Sequence, residues 1–375
     1  MSDTHPDYNG IVKNVDIMPH GKARIDAYQK CIELADKHKD RDRQIKYRLL
    51  LMDESCHHDD TLQAYLVFPV LLKVSDEAFA ETGDRPYLYK TLWQYKWLIE
   101  DARFFYQIDQ EQFEKLVQDA IVRFQNAGYN ARSIYMQAAQ FYVYSDPAKA
   151  EEYYRQYLAT PRDDMSDCSA CESNSEFIYL LSKGRYLIAM HKAQAIFEGR
   201  RRCAEVPFIT YTHYMLYMAQ RKLSGEQVSE DVMAMMKDYA SKCRRIMVSE
   251  NKILEEVGKL LMYYAVFEPS KSLGFIQRFP DFTEAHRYNP FAVFYFALGM
   301  MLFIKGLGDK ETYKMKMDPR FRFYNPDNTY NVAEMYEYYR AQAEKTANGF
   351  IESQKNDSFR KLYDLIISQK VPVTQ

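Results

Sequence analysis

Residues 131–161 read ARSIYMQAAQFYVYSDPAKAEEYYRQYLATP. Asp146-Pro147 divides the stretch. The aspartate can accept the orphan N–H groups of a first helical turn, and proline one residue later loses no bond by lacking its own N–H. Two helices are therefore predicted, over 131–144 and 147–159, joined by a tight turn. Ala138 and Ala150 stand twelve residues apart; Phe141 follows the first by three and Tyr154 the second by four. Small residues let the two helices of a hairpin cross closely, while the rings fill the space around them. One such hairpin cannot bury its apolar face alone, so the pattern implies a stack of them.

Phe177, Gly184, Ala189 and Ala193 repeat the arrangement. From Ala150 to Ala189 the step is 39 residues, about five longer than a 34-residue tetratricopeptide repeat. The extra residues fall in the loop that holds Cys168 and Cys171. A more degenerate third unit covers Leu254 to Pro280.

Apolar spacing of three and four predicts the rest of the chain in the same manner. Further helices are expected near 19–38, 42–57, 60–80, 86–105, 110–126, 173–183, 185–198, 207–223, 226–248, 250–266, 268–278, 290–305 and 357–369. Ile25, Tyr28, Ile32 and Ala35 stripe the first of these. Val332, Met335, Tyr336, Tyr339, Ala343, Ala347 and Phe350 stripe one more near the end. Ser173 and Glu176 have the spacing of a capping box, and Gly128, Gly184 and Gly225 suit left-handed helix ends. Segment 306–329 lacks periodicity and is expected to be a long packed loop. The predicted organisation is an extension over 1–18, a repeat array over 19–305, that loop, and a C-terminal helical unit over 330–375.

Composition supports an all-α chain. Only 13 glycines and 13 prolines occur in 375 residues, against 32 tyrosines, 22 phenylalanines and 18 methionines. That is too few turn formers for a sandwich or barrel, and enough rings to fill many helix grooves. With 50 basic and 52 acidic residues the net charge is -2, so no global field recruits nucleic acid or anionic membrane. Arg200–Arg202 are too isolated to make a basic stripe. The longest apolar run, Phe291–Ile304, has 14 residues, short of the roughly 20 that span a bilayer. The first residues carry no apolar signal segment. A soluble, cytoplasmic protein with reduced thiols is the expectation.

The chain resembles a family of bacterial tetratricopeptide-repeat-like proteins. GKARIDAYQKCIELADKH (21–38), LWQYKWLIEDARFF (92–105), LEEVGKLLMYYAVF (254–267) and YNVAEMYEYYRAQAEKTANGFIES (330–353) carry the likeness. Its distinctive elements are DCSACE at 167–172 and CAEVP at 203–207. Where the family pattern often has histidine after that proline, Phe208 stands here. The resemblance implies an α-α superhelix and no settled activity.

Cys168 and Cys171 precede a predicted helical hairpin and Cys203 follows it. An antiparallel pair returns the chain to the edge it left, so the three thiols are placed to converge. Three readings stand side by side. One is a structural zinc, which takes four N or S ligands, with His213, His191, Asp167 or Glu172 as the fourth. Another is a redox pair, which needs C-x-x-C at a helix N-terminus. The third is three small packing residues. Cys31 reads as a packing residue and Cys243, beside Arg244, as a surface one.

Cys56-His57-His58-Asp59-Asp60 has metal-friendly side chains, but neighbours on a helix point about 100° apart and cannot all reach one ion. No metalloprotease, phosphate-loop, dinucleotide or nucleophile-elbow motif occurs. Trp93 and Trp97 share a helix face and read as a packing ridge or the wall of a groove. Arg132, Tyr135 and Gln140 are further groove candidates. The function expected is a non-enzymatic scaffold for a protein or peptide partner. A peptide-sensing regulator and a zinc- or thiol-dependent enzyme are the alternatives.

Overall fold

The computed structural model describes residues 14, 15, 17–58, 61–83 and 85–369, with the side chains of His57 and His58 excepted. The chain is all-α, with helices packed as successive hairpins. It forms two compact units, one comprising the chain through Arg103, Phe113–Ile134 and Pro161–Met165, the other comprising Phe104–Gln112, Tyr135–Thr160 and the chain from Ser166.

In the first unit α1 (Lys22–His38), α2 (Arg41–His58), α3 (Thr61–Thr82) and α4 (Arg85–Asp101) each pack on the next, followed by α5 (Gln110–Asn126) from Phe113 onward. The α1 stripe works as its spacing requires: Ile25, Tyr28, Cys31, Ile32 and Ala35 pack on Tyr47 and Leu51 of α2. Lys39 takes a left-handed φ of 53° and its N–H closes the end of α1 on the carbonyls of Ala35 and Asp36. That conformation releases the chain at once into α2, as a two-residue helix connection demands.

The second unit takes in α6 (Arg132–Tyr142) from Tyr135 onward, then α7 (Pro147–Ala159), α8 (Ser169–Ser182), α9 (Tyr186–Phe197), α10 (Phe208–Leu223) and α11 (Glu230–Ser249). It continues through α12 (Val257–Phe267), α13 (Ser272–Ile276), α14 (Phe282–Ala285), α15 (Pro290–Lys305), α16 (Val332–Gln354) and α17 (Ser358–Ile367). Asp146 caps α7 as its position predicts, accepting the Lys149 N–H at 3.0 Å. Ala138, Ala150, Ala189 and Ala193 are all completely buried, which is where close-crossing residues must lie. At the α8–α9 turn Gly184 has φ 69°, a conformation open to glycine at no steric cost.

Helix α12 is the axis of this unit. Every residue from Val257 to Tyr264 is buried, and the helix packs on α10 and α15. Helix α15, the 14-residue apolar run with its ends, is buried almost all round and packs on α16. Phe359 of α17 stacks flat on Phe350 of α16, with ring centroids 3.9 Å apart. No helix among the described residues is long and apolar enough to cross a membrane.

Four local expectations change. Helix α8 starts at Ser169 instead of 173, so Ser173 and Glu176 lie inside it, buried, and form no capping box. Glu176 is instead bonded to Tyr157 (3.0 Å) and Lys192 (2.5 Å). Helix α11 starts later than 226, at Glu230 behind its Ser229 cap. The helix expected from 250 begins as a short 3-10 turn and becomes α only at Val257, because Asn251 and Ile253 take left-handed φ values of 53° and 51°. Segment 306–329 contributes to an antiparallel ribbon, β1 (Thr312–Lys314) with β2 (Thr329–Asn331), in which Tyr313 faces Tyr330. A three-residue strand is too short to register as alternation.

Candidate functional site

The three cysteines converge. Cys168 is the N-cap of α8, Cys171 lies in its first turn, and Cys203 sits in the loop after α9. Their sulfurs all lie within 4.8 Å of one another, and those of Cys171 and Cys203 are 3.5 Å apart. The helix supplies part of the environment. The Cys171 N–H donates to the Cys168 sulfur at 3.4 Å, a bond that caps the helix. Cys168 and Cys203 are exposed and Cys171 is half-buried.

Cys203 is the thiol of lowered pKa. A hydrogen bond from Cys171 favours its thiolate, burial opposes this, and backbone hydrogen bonds at Val206 and Glu205 assist; together they bring it down to about 5. Cys171, which keeps the shared proton, is pushed up. The buried Cys243 is pushed up too, by desolvation. In metal-free, reduced protein at about pH 7, iodoacetamide is therefore expected to label Cys203 first, its thiolate being present above the lowered pKa. Cys31 and Cys243, both fully buried, react only on unfolding. Peptide mapping after partial labelling checks this, and equal labelling of all six would contradict it.

Among the described residues no histidine or carboxylate joins the three-sulfur group. His213 is committed elsewhere: its Nε2 lies 2.8 Å from the Nζ of Lys259. An ammonium can only donate, so that nitrogen accepts and has no lone pair left for a metal. His191 is exposed on α9 outside the group. Asp167 and Glu172, which flank the pair in sequence, are half-buried and also lie outside it. Cys243 corrects the surface reading, since its thiol points inward and donates to the carbonyl of Phe208 at 3.6 Å. Asp59 and Asp60, and the side chains of His57 and His58, lie outside what the structure describes.

The groove candidates separate. Trp93 lines an open cleft of about 630 Å³ with Lys46, Leu49, Leu50, Asp53, Tyr87, Tyr89, Lys90 and Gln94, all from α2 and α4 of the first unit. Its ring is held on two sides. Tyr89 stacks on it at 5.9 Å, and Lys96 Nζ sits 3.7 Å from its centroid. Lys96 is itself fixed, almost fully buried and donating to the Met165 carbonyl at 2.7 Å. Trp97 and Arg132 are half-buried residues of the same unit and do not line this cleft. Tyr135 and Gln140 belong to the second unit. Tyr135 stacks on Tyr153 at 6.4 Å, and the buried Gln140 gives its Nε2 to the Ser175 carbonyl at 2.9 Å. Gln140 is thus a core polar residue that ties α6 to α8, and no groove residue.

Sequence reasoning missed one constellation. Lys259, with no exposed surface, lies 2.8 Å from Glu256 Oε1 and 2.8 Å from His213, beneath the rings of Phe291 and Tyr295. The other oxygen of Glu256 accepts from the Thr212 hydroxyl. The available signal was an acid and a base three apart in LEEVGKLL, flanked by apolar residues. No family model, no curated protein and no solved structure matches the chain.

Proposed function

We propose that the protein is a non-catalytic helical-hairpin scaffold whose first unit takes an extended peptide segment of a partner in the α2–α4 cleft. The observation that supports this reading is the immobilised Trp93, with Tyr87 and Tyr89 beside it and Leu49 and Leu50 below. Rigid aromatic anchors in a concave apolar site lose little entropy on binding and dominate recognition energies. Two lysines against one aspartate in the lining favour a segment that pairs an apolar side chain with a carboxylate. The tetratricopeptide-like resemblance agrees, since stacked helix pairs present such surfaces to peptides.

The test uses the Trp97→Phe protein, in which Trp93 is the one remaining tryptophan. A series of short peptides with apolar and acidic residues is titrated while its emission is followed. A saturable shift is expected for some members, weakened about 30-fold by Tyr89→Ala, the loss typical of a central anchor. A series that leaves Trp93 emission unmoved throughout, or binding that Tyr89→Ala does not affect, would sink the assignment of this cleft.

A further inference from the structure

We propose that Cys168, Cys171 and Cys203 form a three-thiolate site for a soft divalent cation of the zinc class, with the fourth coordination position left to a ligand from solution. The site lies in the second unit and is independent of the peptide cleft.

The spacing fits. Metal–thiolate bonds of about 2.3 Å in a tetrahedron put sulfurs roughly 3.8 Å apart. Here the Cys171–Cys203 pair is at 3.5 Å and all three lie within 4.8 Å, so small χ1 adjustments suffice. The supporting bonds are those a thiolate cluster requires. Cys168 accepts an N–H from the residue three positions on. Cys203 has backbone hydrogen bonds at Glu205 and Val206, two and three positions on. Amide donors of this kind orient a ligating sulfur and offset its charge. Cys203 N–H also bonds the Val206 carbonyl at 2.9 Å, which closes the loop on itself.

Charge and softness select the ion. Three thiolates and a divalent cation leave one net negative charge. It would sit at the N-terminus of a 14-residue helix and directly after Arg200–Arg202 in sequence. All-sulfur donors disfavour magnesium and calcium, which prefer oxygen. Structural zinc sites are closed by four protein ligands. Here His213 is taken by Lys259, and among the described residues no other histidine or carboxylate joins the group. Two of the three ligands are exposed, so a small molecule, or a partner's side chain, can reach the remaining position. This is the layout of an exchangeable site.

The experiment is an anaerobic titration of the full-length, reduced, metal-stripped chain with Co²⁺. One equivalent should produce sulfur-to-cobalt charge transfer and the d–d bands of a four-coordinate ion, and Zn²⁺ should displace it and raise the melting temperature. Imidazole should then shift the d–d bands. Cys168→Ser, Cys171→Ser and Cys203→Ser should each weaken binding by more than about a hundredfold, beyond what losing an outer-shell partner causes. His213→Gln should leave it unchanged. Absence of the charge-transfer band in the wild-type chain overturns the site whatever the variants do. So does a band that persists in the serine variants, or a Cys171–Cys203 disulfide as the stable form in the presence of zinc. Bands indifferent to imidazole, with binding lost in His213→Gln, overturn the open fourth position.

Discussion

Gly258→Ala is expected to be among the most destabilising single methyl additions in this protein. A Cβ at position 258 would lie 2.2 Å from the Phe296 nitrogen, 2.3 Å from the Tyr295 carbonyl carbon and 2.7 Å from the Tyr295 Cβ. Two of these atoms are backbone of α15, so no rotamer change relieves the overlap and α12 must move bodily. It cannot do so cheaply, because its residues are buried from Val257 through Tyr264. The same contact is repeated nearby, where a Cβ on Gly299 of α15 would stand 2.7 Å from Leu261 of α12. Overpacking costs typically 1–3 kcal/mol, and a backbone clash belongs at about the top of that range or above. Gly274→Ala is the control, since a methyl there meets nothing within 4 Å, and it should be neutral or slightly stabilising. Denaturant midpoints decide the matter: a Gly258→Ala protein within about 0.5 kcal/mol of wild type, the scatter of ordinary surface changes, would refute the close crossing.

Lys259→Ala should cost about 3–5 kcal/mol, the range for stripping one partner from a buried ion pair. The ammonium has no exposed surface and Glu256 almost none, so removing the lysine leaves a carboxylate without its charge partner in an apolar interior. Glu256→Ala should be as harmful from the other side, with the Thr212 hydroxyl losing its acceptor as well. The pair is not predicted to be a net stabiliser over a hydrophobic filling. Lys259→Met combined with Glu256→Leu removes both charges and should recover much of the loss, with a coupling of about 2–3 kcal/mol in the double-mutant cycle. Additive losses would mean that the two side chains do not share one desolvated site.

The hairpin repeats were legible because close crossing is written in residue size: Ala138, Ala150, Ala189 and Ala193 stand out among large neighbours. The three cysteines were legible as a group for a topological reason, since an antiparallel hairpin returns its ends to one edge. The start of α8 was misread because cysteine is a weak capping residue, whereas Ser173 and Glu176 had the familiar spacing. Gly258 and Gly299 escaped notice because a glycine within an apolar run looks the same whether it faces open space or another backbone. His213 lies one turn into the helix that follows Cys203, yet its partner is a lysine 46 residues away.

By itself the sequence determined the all-α class, the positions of most helices, the stacking of hairpins and the meeting of Cys168, Cys171 and Cys203. These rest on local periodicity and on chain connectivity, both of which are properties of neighbours along the chain. Only the tertiary structure decided which glycines carry a helix crossing, where a charge lies buried, which tryptophan faces a cleft, and that His213 pairs with Lys259. Each of those depends on what a side chain meets from a distant helix. Burial converts such meetings into several kcal/mol through sterics and desolvation, and no pattern of residue types in one segment records the partner.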